Sequence, residues 1–266
     1  MRLRLVGALL LLAALAAPPA VMRARPSRKA AQVELKKQVK VTEPFAEPLF
    51  QSLCHLRIKR RWGGFYKSEW TGSAVVYRGR YLLTAGHNTY QDNSKIRSVD
   101  VRCGSAYAKT APIDETIEPW QALDAPGYDG AYELDFGVIR LNRPIAVAEP
   151  FDLATEPVRE GETIRFAGYP GGDRGGWTLH EARDATVITT KPSLAYYNIE
   201  TFKSNSGGPV WREVGGRHEL VAIHVKGERM QPHNWLGGGR IVDEDYHREI
   251  QKLIAELDRR AAEHGL

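Results

Sequence analysis

The stretch "SAVVYRGRYLLTAGHN", residues 73–88, contains two short apolar runs that are separated by Arg78 and Gly79. Runs of Val, Leu and Tyr on both sides of a two-residue turn predict a β-hairpin. His87 follows the second run, directly after a glycine. We therefore expect His87 to lie just past a rigid strand, where it is either a surface residue or one part of a site that distant residues complete.

Similar short runs, rich in Val, Ile, Leu, Tyr and Thr and punctuated by Gly and Pro, fill the chain from about residue 50. No helix-length periodic segment alternates with them, as βαβ folds require, so we predict an all-β body. The end of the chain has a different pattern. Residues 243–264 begin with acidic residues and then repeat apolar residues at helical spacing, which predicts a C-terminal helix docked on the body.

Residues 1–16 have the pattern of an export signal. Arg2 and Arg4 precede an apolar run of 13 residues, which is shorter than the about 20 that a membrane span needs. An uncleaved anchor is the alternative. Residues 17–48 are basic and contain several prolines, which predicts a loosely ordered leader or propeptide, with a short helix over residues 27–38 as the alternative. We expect a secreted or periplasmic protein with no membrane contact beyond the signal.

The positive charge of the chain is concentrated near its beginning. Residues 17–61 hold 11 Lys and Arg against 3 Glu, whereas residues 62–266 hold 24 Lys and Arg against 29 acidic residues. The basic whole-chain balance is therefore no argument for nucleic acid binding, and we predict none.

The two cysteines, Cys54 and Cys103, can form a disulfide in an exported chain or remain two separate buried thiols. The sequence has no CxxC or HExxH motif and its eight histidines are scattered, so we predict no metal site.

The stretch "KSNSGGPVW", residues 203–211, carries the sharpest chemical signal. Two glycines after Ser206 permit a tight turn that exposes the hydroxyl group and directs main-chain N–H groups toward one point. An ordinary turn also uses Ser and Gly. Upstream, in "ELDFGVIRL", Asp135 immediately precedes an apolar strand, where a partly buried carboxylate needs a hydrogen-bond donor. His87 is the candidate donor.

A serine hydroxyl group is a weak nucleophile unless a base accepts its proton and a carboxylate orients that base. Ser206, His87 and Asp135 supply these residue types. Their order along the chain, His then Asp then Ser, is the order found in chymotrypsin-fold peptidases and differs from the orders in subtilisin-like and α/β-hydrolase enzymes.

Five segments resemble chymotrypsin-fold serine peptidases: "SAVVYRGRYLLTAGHN", "DFGVIRL", "IRFAGYPGG", "SNSGGPV" and "LVAIHVKG". The chain is most similar to the glutamyl-endopeptidase-like branch. The resemblance implies a peptidase domain over residues 49–258 with two perpendicular six-stranded antiparallel β-barrels and a break near residues 145–160. It also implies that the active site lies between the barrels, that protein or peptide is the substrate, that no cofactor is needed and that the protein is a monomer.

The resemblance also assigns an oxyanion hole to the N–H groups of Ser204 and Ser206. The family usually has glycine at the position of Ser204, so a flipped or unformed hole is the alternative. Trypsin-like zymogens pair a new N-terminal ammonium with an aspartate before the serine, and the amide of Asn205 cannot supply that charge. We therefore expect no activation by that ion pair, while removal of the leader could still unblock the cleft.

By the same resemblance, Thr201 and His224 belong to the pocket for the residue before the cut bond, where a histidine helps to receive a substrate carboxylate. Glu200 occupies the position of the pocket-floor acid of trypsin-like enzymes and would repel that carboxylate. With His224 attracting the carboxylate and Glu200 repelling it, we expect only a weak preference for acidic residues before the cut bond. The alternative for His224 is an ordinary histidine of the core.

Together these features predict an exported serine endopeptidase. A non-catalytic binding module with the same fold, or an esterase with the same three residues, are the alternatives.

Overall fold

The computed structural model describes residues 33–42, 47–62, 66–90, 94–229 and 235–266. These residues form an all-β body followed by one long helix, which confirms the predicted fold class. The predicted signal, residues 1–16, lies outside the described residues. The strands are β1 Val39–Lys40, β2 Leu53–Trp62, β3 Tyr66–Tyr77, β4 Tyr81–Thr84, β5 Ser94–Cys103, β6 Ile113–Ile117, β7 Ala122–Asp124, β8 Gly137–Arg140, β9 Phe151–Leu153, β10 Thr163–Gly168, β11 His180–Lys191, β12 Leu194–Tyr197, β13 Pro209–Val214, β14 Arg217–Arg229 and β15 Trp235–Ile241; the α-helices are α1 Gly86–Thr89 and α2 Glu244–Glu263.

The first half of the body is a seven-stranded antiparallel sheet in the order β6-β5-β2-β3-β4-β8-β7. The predicted hairpin is its β3–β4 pair, in which Tyr77 faces Tyr81. Arg78 and Gly79 both have positive φ angles, 49° and 67°, as a tight two-residue turn between twisted strands requires. Cys54 and Cys103 face each other across β2 and β5 and form a disulfide. Of the two alternatives for these cysteines, the disulfide is therefore correct and the two separate thiols are not.

The second half is a ring of six strands. Its order is β11-β10-β13-β14-β15-β12, and the β11–β12 pair closes it. β9 adds to β14 in parallel, and β1 adds to β11. The predicted six-stranded barrel is therefore present in this half. The first half has a seventh strand because the three-residue β7 pairs with β8, and within the described residues the path from β6 to β7 does not close.

Residues 33–42 are extended along the second half, although the sequence predicted a loose leader up to residue 48. Val39 pairs with Glu181, and the N–H of Val41 donates to the carbonyl of Leu179. Further upstream, the N–H of Lys36 donates to the carbonyl of Asn198 at 2.7 Å. Pairing with strands of the body satisfies these main-chain groups. Residues 33–38, the described part of the alternative helix over residues 27–38, are not helical. The folded body thus begins before residue 49.

The helix α2 packs on the first half, where it contacts β7 and β8. Asp243 caps its first turn by accepting a hydrogen bond from the N–H of Tyr246 at 2.8 Å. Tyr246, Ile250 and Leu257 are fully buried, as the predicted apolar stripe requires. None of the helices in the described part of the chain is long and apolar enough to cross a bilayer. The chain passes from the first half to the second between Arg140 and Phe151.

Candidate active site

His87 lies on the short helix α1, directly after strand β4, and about a third of its side chain is exposed. The preceding Gly86 has a steric role. A Cβ atom at this position would lie 2.9 Å from the main-chain nitrogen of Phe136 and 3.2 Å from Oδ1 of Asp135. Only glycine therefore lets the loop before β8 approach the histidine so closely.

Asp135 is fully buried and faces His87. Its Oδ2 lies 2.8 Å from Nδ1 of His87, and its Oδ1 accepts the main-chain N–H of the same residue at 2.8 Å. An ionised carboxylate only accepts hydrogen bonds, so the proton of a neutral imidazole is on Nδ1 and Nε2 is left as a base. Burial and the Asp135 carboxylate together raise the pKa of the neighbouring Tyr128.

The turn around Ser206 requires both glycines that follow it. Gly207 has a φ angle of 88°, and a Cβ atom there would overlap the carbonyl oxygen of Ser73 and the hydroxyl group of Thr84. A Cβ atom at Gly208 would lie 2.5 Å from the carbonyl oxygen of Ala167. The "SGG" pattern therefore follows from close main-chain approach as well as from turn propensity.

Two residues of the first half hold the carbonyl group of Ser206. The N–H of Ser73 donates to it at 2.8 Å, and the Nδ2 amide of Asn88 donates to it at 3.1 Å. These residues are the first and last letters of the "SAVVYRGRYLLTAGHN" stretch, yet the sequence analysis did not assign them a role. The only sign in the sequence that they belong to the site is their position at the two ends of the stretch that contains His87. They link the two halves at the serine.

His87 and Ser206 line one cleft of about 640 Å³, together with Thr71, Ser204 and Gly171. No described residue forms a hydrogen bond with Oγ of Ser206, so the contact between this hydroxyl group and His87 is not made in this structure. Hydrogen bonds of this kind are often long without substrate and tighten when it binds. Within the described residues, no group of three or more His, Cys, Asp and Glu side chains could hold a metal ion.

Ser204 adopts the backbone conformation that glycine favours, with a φ angle of 70°. The carbonyl group of Lys203 accepts the N–H of Gly171 at 2.7 Å. Because C=O and N–H point in opposite directions across a trans peptide, the N–H of Ser204 points away from Gly171. No described residue accepts a hydrogen bond from the N–H of Ser204 or of Ser206, so both donors are free.

The side chain and carbonyl group of Ser204 are held from the first half. Oγ of Ser204 lies 2.6 Å from the hydroxyl oxygen of Thr71, and the hydroxyl group of Ser73 donates to the Ser204 carbonyl group at 2.9 Å. These two contacts, which sequence reasoning missed, stabilise a serine in a conformation that costs an L-residue about 1–2 kcal/mol.

The three predicted specificity residues do not line the cleft that contains His87 and Ser206. Thr201 packs beside the glycines of β14 and β15, since a Cβ atom at Gly227 would lie 3.1 Å from its hydroxyl oxygen. The main-chain N–H of Glu200 donates to Lys36, and the Glu200 side chain is half-buried.

His224 is 2 % exposed and bonds through Nδ1 to the hydroxyl group of Tyr197 at 2.6 Å. Burial, and then the electrostatic influence of His87, lower the pKa of His224 to about 3. His224 is therefore neutral near pH 7 and brings no positive charge to a substrate carboxylate.

Two β-sheet halves, with a His–Asp pair from one and a glycine-rich serine turn from the other, define the class of chymotrypsin-fold peptidases. The chain belongs to the trypsin-like peptidase domain family, whose model matches residues 72–223, more than half of the sequence. No curated protein matches the sequence.

Solved structures share the fold at low sequence identity. A Glu endopeptidase in complex with MPD has a TM-score of 0.65 at 22% identity, over 84% of this chain and 98% of its own. Neuropsin from mouse brain has a TM-score of 0.58 at 18% identity, over 78% of this chain and 96% of its own. An inactivated protease paralogue of the scabies mite has a TM-score of 0.61 at 16% identity, over 83% and 100%.

Proposed function

We propose that this protein is an exported serine endopeptidase. In this mechanism Ser206 attacks a peptide carbonyl group, and His87 accepts the hydroxyl proton and passes it to the leaving amine. Asp135 orients the imidazole, and water then hydrolyses the acyl-enzyme. One observation carries the proposal: the fully buried Asp135 carboxylate bonds to Nδ1 of His87 at 2.8 Å, while His87 and Ser206 line the same cleft.

The N–H groups of Ser204 and Ser206 are the proposed oxyanion hole. Their support is that both donors are free and that the Lys203 carbonyl group bonds to Gly171 at 2.7 Å, which directs the next N–H the other way. Donors of this kind act mainly in the tetrahedral transition state, and losing one typically lowers kcat about 100- to 1,000-fold.

Export is supported by the signal-like residues 1–16 and by the disulfide between Cys54 and Cys103, because disulfides persist mainly in oxidising compartments. The partner that a serine endopeptidase requires is a protein or peptide substrate.

A weak preference for acidic residues before the cut bond is the finer part of the proposal. The buried Tyr197 stays protonated because burial raises its pKa well above the usual value. We propose that its hydroxyl group, 2.6 Å from Nδ1 of His224, donates to that nitrogen. Nε2 of His224 then carries the proton and can donate to a carboxylate while the ring stays neutral. The resemblance to trypsin-like enzymes, and no contact in the cleft, is what places Glu200 against such a substrate. On that ground, Glu200→Gln should raise the ratio of turnover after Glu to turnover after Lys.

A binding module with the same fold is the second candidate. Oγ of Ser206 forms no hydrogen bond with the described residues, and an inactivated protease paralogue is among the structures that share this fold. An esterase with the same three residues would use the same acyl chemistry on a different substrate.

One experiment separates these classes. The secreted protein and its Ser206→Ala variant are treated with a fluorophosphonate probe and then with a peptide library. Labelling that requires Ser206, together with peptide turnover, is the expected result. The absence of labelling in a folded protein would favour the binding module, and labelling with turnover of esters alone would favour the esterase. The library also ranks the residues before the cut bond.

A further inference from the structure

A buried pair of side-chain amides joins the N-terminal segment to the serine turn. Nε2 of Gln38 donates to Oδ1 of Asn205 at 2.8 Å, and Nδ2 of Asn205 donates back to Oε1 of Gln38 at 3.4 Å. Gln38 is 4% exposed and Asn205 is fully buried. Such a reciprocal pair, isolated from water, fixes the orientation of both amides.

Asn205 lies between the two residues that supply the free N–H groups. Its Oδ1 also accepts the main-chain N–H of Phe202 at 2.9 Å, and its own N–H donates to the carbonyl group of Phe202 at 3.2 Å. Its carbonyl group accepts the N–H of Gly208 at 2.9 Å. The side chain and the main chain of Asn205 therefore close the turn from residue 202 to residue 208 together. Rotation of the side chain would remove its bond to the N–H of Phe202 and shift the peptides beside residue 205.

Gln38 is itself held on several sides. Its Nε2 also donates to the carbonyl group of Glu200 at 2.8 Å, and Arg174 donates to its main-chain carbonyl group at 3.2 Å. The carbonyl group of Lys36 accepts the N–H of Glu200 at 3.0 Å, next to the isolated bridge between Lys36 and Ile199. The segment that carries Gln38 is bonded to the second half both before and after this residue, and from there the amide of Gln38 reaches Asn205.

We propose that residues 33–42 are a permanent part of the active protein and that Gln38 is a positioning residue for the oxyanion hole. The inference rests on the proposed peptidase function. A neutral amide of the chain itself supplies the anchor for residue 205, so no newly cut N-terminal ammonium is needed. Any processing of the basic leader takes place before residue 33.

The first test compares Gln38→Glu and Gln38→Ala with the control Val39→Ala, in the full chain. The carboxylate that Gln38→Glu introduces cannot donate to Asn205 or Glu200, although the size of the side chain is nearly unchanged. Val39 is adjacent and 66% exposed, so its change should leave activity unaltered. We expect both Gln38 variants to lower kcat about 10- to 100-fold with little change in KM, as small misplacements at a reacting centre do.

A second measurement on the same variants does not depend on turnover. Amide hydrogen exchange in residues 202–208 should be faster in both Gln38 variants than in the parent and in Val39→Ala. Folded Gln38 variants with the kcat and the exchange of the parent would overturn the inference. An inactive parent protein would contradict the proposed function instead, and the exchange measurement would then still decide the role of Gln38.

The third measurement is the intact mass of the secreted protein that the fluorophosphonate probe labels. We expect its N-terminus to precede residue 33. A labelled protein that begins after residue 33 would overturn the inference, because it would lack part of residues 33–42, and one that begins after residue 38 would lack Gln38 itself. If no protein is labelled, the mass of the folded secreted protein serves the same purpose.

Discussion

The two sides of the cleft are held by different chemistry. On the side of the first half, the buried carboxylate of Asp135 holds His87 through two hydrogen bonds. On the side of the second half, the turn around Ser206 is held by neutral groups: the N–H of Ser73, the amide of Asn88 and the amide pair of Gln38 with Asn205.

The difference follows from what each side must do in the proposed reaction. The imidazole becomes positively charged when it accepts a proton, so a carboxylate beside it stabilises that state. The serine turn presents neutral N–H donors to the negative charge that develops on the substrate oxygen. These donors must be held in a fixed geometry, which neutral hydrogen bonds and close packing provide with little sensitivity to salt or pH. The charged side should therefore respond most strongly to a loss of charge, and the neutral side to a loss of shape.

The substitution Asp135→Asn tests the charged side and should have the largest effect. An asparagine keeps the shape, but its NH₂ group favours the wrong tautomer of His87, and kcat should fall about 10⁴-fold. Steady-state peptide hydrolysis measures this loss, and a thermal melt confirms that the variant is folded. A decrease of less than tenfold would mean that the charge of Asp135 is not what distinguishes this side.

The substitution Gly207→Ala tests the shape of the neutral side. The new methyl group would overlap Ser73 and Thr84, and the φ angle is positive, so we expect a loss of about 3 kcal/mol or more in the free energy of unfolding. The matched control is Gly215→Ala, which has a φ angle of 57° and no atom within 4 Å of its Cβ position. The control should lose only about 1 kcal/mol. Equal losses in urea unfolding would contradict the steric argument.

Acid should weaken both halves through buried histidines whose pKa values burial lowers, and His55 and His224 are the most deeply buried of them. In the first half, burial and then Arg102 and Arg57 lower the pKa of His55 to about 4, against the favourable influence of Asp100. In the second half, burial lowers the pKa of His224 to about 3. The unfolded chain takes up these protons below about pH 6.5, whereas the folded chain does so only at lower pH. The stability that the neutral histidines contribute is therefore fully present above about pH 6.5 and is lost as the pH falls toward 4.

The substitution His55→Phe measures how much of the loss of stability in acid comes from the buried histidine of the first half. His55 is fully buried between Trp177 and Tyr169, and neither ring nitrogen has a hydrogen-bond partner, so a phenyl ring should fit. Between pH 7.5 and 4.5 the parent should lose about 2 to 3 kcal/mol more than the variant in urea unfolding. Parallel pH profiles for the two proteins would show that His55 does not titrate in this range.

The substitution Ser204→Gly should have the smallest effect. Ser204 already has the backbone conformation of glycine, and the peptide before it is held by Gly171. We expect kcat to change by less than about threefold, which corresponds to under 1 kcal/mol. A tenfold fall would show that the hydroxyl contact with Thr71 matters, and the neutral side would then depend on side-chain chemistry as well as on shape.

Local sequence was sufficient to predict the hairpin, the helix α2 and the all-β body, because each has a periodicity or a turn composition of its own. His87, Asp135 and Ser206 stood out for the same reason, since each ends or precedes an apolar strand in a short motif. The partners Gln38, Ser73 and Asn88 did not stand out. Gln38 lies 167 residues from Asn205, and its segment has the composition of a loose leader.

The sequence by itself determined the class of fold and the three residues of the proposed reaction, because short-range patterns and chain order carry that information. Only the tertiary structure decided that residues 33–42 belong to the body, that His224 is buried and neutral, and that an amide pair holds the serine turn. These features depend on which groups meet across strands far apart in the chain and on how much water is excluded there, and no local pattern encodes either quantity.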